Sequence, residues 1–158
     1  MRHLSPALAL SLVVLFTAGC AAHRIPGTEI RDTPDTRAVV ATIDAYRKAA
    51  ERRDASAVLA LVSRRYYDKS GTPSPADDVD YEQLRKRLVQ DYRSVTSLHL
   101  DIGVKDVEVR DDHASAYVFY DERYRIQTRS GEVAKEASDQ QRMTFVREDG
   151  VWRFTSGL

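Results

Sequence analysis

Cysteine is almost missing from this chain: of its 158 residues, only Cys20 carries a thiol. No intramolecular disulfide can form, so the fold has to be held by its core, and no Cys–His nucleophile pair is available. Histidine is nearly as scarce. Only His99 and His113 fall in the body of the chain. Neither has a second ligand at metal spacing, so no zinc or iron site is expected. There is no Gly-x-Ser-x-Gly elbow and no glycine-rich phosphate loop, and no cofactor is implied. Charge of one sign is lacking too, with 24 basic against 24 acidic side chains. That balance gives no reason to expect nucleic acid or anionic lipid as a partner.

A long apolar run is also absent. The most hydrophobic stretch, Leu4 to Phe16, is broken by Ser5, Pro6 and Ser11 and falls short of the ~20 residues that span a bilayer. It follows the basic start Met1-Arg2-His3 and precedes the small residues Thr17-Ala18-Gly19, the layout of a secretory signal peptide. Because it ends directly on Cys20, it resembles the signal of bacterial lipoproteins. That likeness implies cleavage before Cys20, acylation of its thiol, and anchorage to the cell envelope. Ala21 beside it favours the periplasmic face of the outer membrane over the inner membrane. Two acyl chains hold a protein where one barely does, so the rest of the chain needs no membrane surface of its own. Removing residues 1–19 takes away Arg2 alone and leaves a net charge of −1.

Residues 20–33, with Pro26 and Gly27 and no apolar period, read as an acylated tether; residues 34–158 read as one domain. Thr33 caps a helix predicted from Pro34 to Arg53, with Val39, Ile43, Tyr46 and Ala50 as its apolar stripe. Asp54 caps a short second helix. Residues 68–77 form a loop by composition. Asp80 and Gln83 make a capping box for a third helix, whose stripe runs Tyr81, Leu84, Leu88, Tyr92 and Val95. From Leu98 the period becomes two. The phase slips near Lys105-Asp106, which predicts a bulge, and three turns then divide the remainder into an antiparallel meander of four or more strands. Helices followed by strands argue α+β.

Two stretches carry a family resemblance. One is Ile43-Asp-Ala-Tyr46 leading to Asp54-Ala-Ser-Ala-Val58; the other is Glu148-Asp-Gly150-Val-Trp152-Arg-Phe154. They are similar to the nuclear transport factor 2-like superfamily, which includes SnoaL-like cyclases and ketosteroid isomerases. The resemblance implies a cone-shaped fold, three N-terminal helices packed on a curved antiparallel sheet, and a pocket at the wide end. It also implies dimerisation through the sheet in many members. In the isomerases a first-helix tyrosine lies eight residues before the capping aspartate, as Tyr46 lies before Asp54. Their base falls near Ser70, with Asp68 two residues away. Their acid falls near Gln141, with Asp139 two residues away.

Since only the tyrosine matches at face value, the leading expectation is a non-catalytic envelope lipoprotein. Its pocket, lined by Tyr46, Tyr92 and Trp152, would bind a small apolar ligand, or the domain would bind a protein partner. The alternative from another class is a SnoaL-like isomerase, cyclase or hydratase using Tyr46 with Asp68 or Asp139. A third is a dimeric scaffold with a filled cavity. The alternation Asp121-Glu122-Arg123 reads as ion pairs on the exposed sheet face.

Overall fold

A computed structural model describes residues 23–72 and 74–158. The signal and Cys20 lie outside the described residues. Helix α1 spans Pro34–Glu51. Thr33 starts it: its hydroxyl accepts the Thr36 N–H (3.1 Å), and the Thr36 hydroxyl accepts the Thr33 N–H in return (3.0 Å). Val39, Ile43 and Ala50 on its inner stripe are buried. Asp54 caps the six-residue helix α2, Ala55–Ala60.

The connection that follows departs from a plain loop. Tyr67–Asp68 (β1) and Val79–Asp80 (β2) pair antiparallel. The ladder closes because Tyr66 and Val79, at its two ends, are both buried. It separates α2 from helix α3, Tyr81–Ser94, so the helical part is one long helix with two shorter ones, and the loop expected between the last two begins and ends in a short ladder. The Asp80–Gln83 capping box is present at α3.

Strands β3 (Val95–Arg110), β4 (His113–Thr128), β5 (Gly131–Glu148) and β6 (Val151–Ser156) form one antiparallel sheet in sequential order. The register slips between Val104 and Asp106, where the period of two broke in the sequence. The fold is therefore α+β, with helices on a curved antiparallel sheet. Even-numbered residues of β4 face the helices: Ala116 and Val118 are buried, while Tyr117 and Phe119 on the other face are exposed. Phe145, Phe154, Val39 and Ile43 make the centre of the core.

The segment read as tether takes part in this core. Arg24 bridges to Arg31, and Ile30 is 1% exposed. A turn over Pro26-Gly27 brings Ile25 and Ile30 together, with the Ile25 N–H bonded to the Ile30 carbonyl (2.9 Å). Among the described residues no helix is long and apolar enough to cross a membrane.

Candidate active site

Where the far ends of β3 and β4 rise past the C-terminal halves of α1 and α3, the core stops being filled. A cavity of about 580 Å³ lies there. Its apolar wall comes from Leu88 on the helix side and from Val95, Leu98, Leu100, Ile102, Ile126 and Met143 on the sheet. Into this wall project Tyr46 from α1, Tyr92 from α3, and Tyr120, Glu122 and Tyr124 from β4. The β4 spacing is what the pleat dictates. Residues 120, 122 and 124 share one face, about 7 Å from one to the next.

Glu122 is the unusual group. Its carboxylate has no hydrogen-bond or ion-pair partner among the described residues, although its neighbours do. Arg123 turns outward to Asp121 (3.5 Å) and Asp101 (3.3 Å). Burial alone holds the Glu122 carboxyl above its ordinary range, with no cation to offset it. Among the described residues no Lys, Arg or His lines the cavity. The expectation of an exposed ion pair at Asp121-Glu122-Arg123 is thus corrected for Glu122, which falls on the inner phase of the strand.

The tyrosines answer Glu122. Burial is the first cause of the raised pKa of Tyr46, Tyr92 and Tyr120, and the Glu122 charge acts on each of them. Tyr92 is pushed up to about 12. All three phenols therefore stay protonated at neutral pH and remain donors, and none of their hydroxyls has a protein partner among the described residues. Tyr46 keeps some surface because it borders the cavity. Its ring is braced edge-on by Phe154, with centroids 5.6 Å apart.

The other expected residues lie elsewhere. Trp152 does not line the cavity. It is 3% exposed at the opposite end of the sheet, beneath the Arg147 guanidinium (4.6 Å), which in turn pairs with Asp35 at the start of α1 (3.0 Å). Asp68 fastens the chain end: its Oδ2 accepts the Gly157 N–H (2.6 Å) and its Oδ1 accepts the Ser70 N–H (2.8 Å). Beside it, the Tyr66 hydroxyl accepts the Leu158 N–H (3.1 Å), setting Leu158 against the cavity. Asp139 is exposed on β5 opposite Tyr120, with Oδ1 accepting the Gln140 N–H (2.7 Å). Of the candidates, Tyr46 and Tyr92 meet in one hollow; Trp152, Asp68 and Asp139 do not line it. Glu122 was missed, although the even phase set by Val118 and Tyr120 extends to it. Among the described residues no cluster of three potential metal ligands occurs.

The chain matches no protein-family model and no curated protein. Solved structures do match it. A protein from Novosphingobium aromaticivorans, provisionally assigned as a scytalone dehydratase, is 14% identical at a TM-score of 0.67, over 78% of this chain and 80% of that one. A ketosteroid isomerase-like protein from Erwinia carotovora atroseptica is 18% identical at 0.65, over 80% and 95%. A provisionally assigned dehydratase of the nuclear transport factor 2-like family from Streptomyces avermitilis is 17% identical at 0.60, over 79% and 95%. The structural neighbours are thus nuclear transport factor 2-like proteins, and at these identities what is shared is the fold.

Proposed function

We propose that the domain is an acid–base enzyme that removes a proton next to a carbonyl group in a small, largely apolar, uncharged compound and eliminates water from it. One observation carries this reading: an unpaired, half-buried carboxylate faces three protonated phenols in an apolar hollow. Glu122 takes the α-proton. The electron pair moves into the carbonyl, and Tyr46 donates a hydrogen bond to the oxygen as it gains charge. The C–O bond to a β-hydroxyl then breaks as the alkene forms, and Glu122 returns its proton to the departing oxygen to make water. The cavity lies within the ~300–1,000 Å³ usual for small-molecule sites, and its lack of cations disfavours anionic substrates. The dehydratase assignments of two structural neighbours agree with this class of chemistry.

The test is exchange of α-protons for deuterium in a panel of one- and two-ring β-hydroxy ketones, followed by proton NMR. Wild type is expected to exceed Glu122→Gln by ~10²–10⁴-fold on the best substrate. Equal rates for the two across the panel would refute the reading. In the same proposal the domain is displayed at the bacterial envelope by acyl chains on Cys20, which the sequence supports. Cys20→Ser should then move the protein from the membrane to the soluble fraction, and membrane retention of that variant would sink the anchor.

A further inference from the structure

Almost all of the cavity wall stands on regular structure. Its helical residues are placed by α1 and α3, and its sheet residues by the ladders of β3, β4 and β5. Leu158 is the exception. It lines the hollow, yet it belongs to no helix or strand and lies beyond β6, whose last pairing sets Ser156 against Thr144.

Its place is set by bonds from elsewhere in the chain. Gly157 has φ +91°, the left-handed region that glycine enters without steric cost, and a Cβ there would lie 2.7 Å from the Arg142 carbonyl oxygen. The backbone thus leaves the ladder and passes hard against β5 at Arg142-Met143, which brings Leu158 to the wall with Met143 and Gln141. Asp68 Oδ2 accepts the Gly157 N–H (2.6 Å). The Tyr66 hydroxyl accepts the Leu158 N–H and donates to the Leu158 backbone oxygen, both at 3.1 Å. Tyr66 is only 2% exposed, so the ring that carries this hydroxyl is fixed by the core. Segments outside the ladders ordinarily open first; here a bond to a charged carboxylate and two to a buried phenol hold one closed. Neither Asp68 nor Tyr66 lines the cavity.

We infer that Leu158 is a specificity-determining residue, a stopper whose side chain limits the size of compound that the hollow admits, and that Asp68 and Tyr66 are positioning residues that pin it. The inference rests on the proposed reading that the hollow receives an uncharged, largely apolar compound. A wall sorts ligands by size only where it does not yield, and against a firm apolar wall a single methylene changes selectivity by about 10–200-fold. A pinned leucine meets that requirement, and a loose one gives way. Asp68 thereby gains a part in the site without touching the reacting atoms.

The test is calorimetric binding to the full chain of two pairs of uncharged ketones, cyclohexanone with decalone and acetophenone with para-butylacetophenone. The readout is the ratio of the two Kd values within a pair. Leu158→Ala, which shortens the stopper to a methyl group, should move the ratio toward the larger member by at least about tenfold, and Leu158→Phe should move it the other way. Tyr66→Phe keeps the buried ring and Asp68→Ala keeps the phenol, so each releases the backbone of Leu158 without altering its side chain. Both should move the ratio in the direction of Leu158→Ala by about threefold, and in the Leu158→Ala background both should add less than about twofold. Ratios unchanged by Leu158→Ala in both pairs, or no ketone binding by any of these proteins, would overturn the proposal. A Leu158→Ala shift that neither Tyr66→Phe nor Asp68→Ala reproduces, with circular dichroism showing each variant folded, would overturn the pin. Binding needs no proton transfer, so the ratios are also measured on Glu122→Gln. A selectivity shift there, alongside equal exchange rates for wild type and Glu122→Gln, would sink the catalytic reading and leave the stopper standing.

Discussion

Glu122→Gln should stabilise the protein at neutral pH while abolishing its chemistry. The carboxylate is half-buried, bordered by apolar side chains, and without a partner among the described residues. A deeply buried, unpaired charged group costs several kcal/mol. Glu122 keeps part of its hydration, which reduces the expected gain from Gln to about 1 kcal/mol, or about 3 °C in Tm for a domain of this size. The pH dependence follows from the direction of the shift. The folded state holds the Glu122 proton more tightly than the unfolded state, whose value is near the ordinary 4.5. Below that value both states are protonated and the penalty is absent. As pH rises toward the raised folded value, the unfolded chain loses its proton first and folding is disfavoured, until the penalty is full. Wild type and Glu122→Gln should therefore melt together near pH 4 and separate by pH 7.5, with the variant higher. Differential scanning calorimetry across that range is the assay. A variant that melts lower at pH 7.5, or a gap that does not change with pH, would mean that the carboxylate has a partner in the folded protein, and the case for a base would go with it.

Four further substitutions separate structure from chemistry. Gly157→Ala should destabilise by about 2–4 kcal/mol in denaturant titrations, because Gly157 has φ +91° and a Cβ would lie 2.7 Å from the Arg142 carbonyl oxygen and 2.8 Å from the Met143 Cα, backbone atoms that cannot yield; a loss under 0.5 kcal/mol would contradict that. Asp68→Asn should cost about 1–2 kcal/mol through the weakened Gly157 bond, whereas Asp139→Asn should leave both stability and deuterium exchange unchanged. A tenfold loss of exchange in the Asp139 variant would reinstate that residue as the base. Tyr46→Phe should alter stability by less than about 0.5 kcal/mol, since the lost hydroxyl has no protein partner, while slowing exchange about 10²-fold; unchanged exchange would pass the donor role to Tyr92 or Tyr120.

Much of the fold was legible because the determining signals are local. The Asp80–Gln83 capping box, the stripe Val39-Ile43-Ala50, and the slip of phase after Val104 each act within a few residues, and each has its counterpart in the structure. What was not legible depends on distant pairing. The β1–β2 ladder is two residues per strand, too short for a period, and exists because Tyr66 and Val79 are buried by other parts of the chain. The burial of Ile30 is likewise invisible in a stretch whose composition reads as linker. In the site, Tyr46 and Tyr92 were reachable from the helical stripes. Trp152 was misplaced because a hydrophobic period identifies the inner face of a strand without saying how far along the sheet the core remains filled. Glu122 was hidden by its neighbours, since Asp121 and Arg123 do form the outward pair that the alternation suggests.

The distribution of unmet hydrogen-bonding capacity supports the proposed function. Polar groups near the filled core are partnered: the Ser63 hydroxyl donates to Glu148 (2.7 Å), the Thr144 hydroxyl lies 2.7 Å from that of Thr155, and Asp68 and Tyr66 hold the chain end. Buried polar groups are ordinarily satisfied in this way. In the hollow above Phe154, by contrast, the Glu122 carboxylate and the hydroxyls of Tyr46, Tyr92 and Tyr120 lack a partner among the described residues. Replacing Glu122 with Gln, or Tyr46 with Phe, would relieve part of that deficit at little structural cost. Outside the cavity the Arg147 Nε is also buried without a hydrogen bond, but only in the cavity do several such groups face one hollow, which supports the proposal that they meet a molecule from outside. The same reasoning separates Glu122 from the carboxylates of the surface network Asp44, Glu51 and Asp101, each engaged by an Arg or Lys within 3.3 Å. Glu51 also accepts the Leu100 N–H and so ties α1 to β3 beside the cavity, whereas Glu122 has no partner among the described residues.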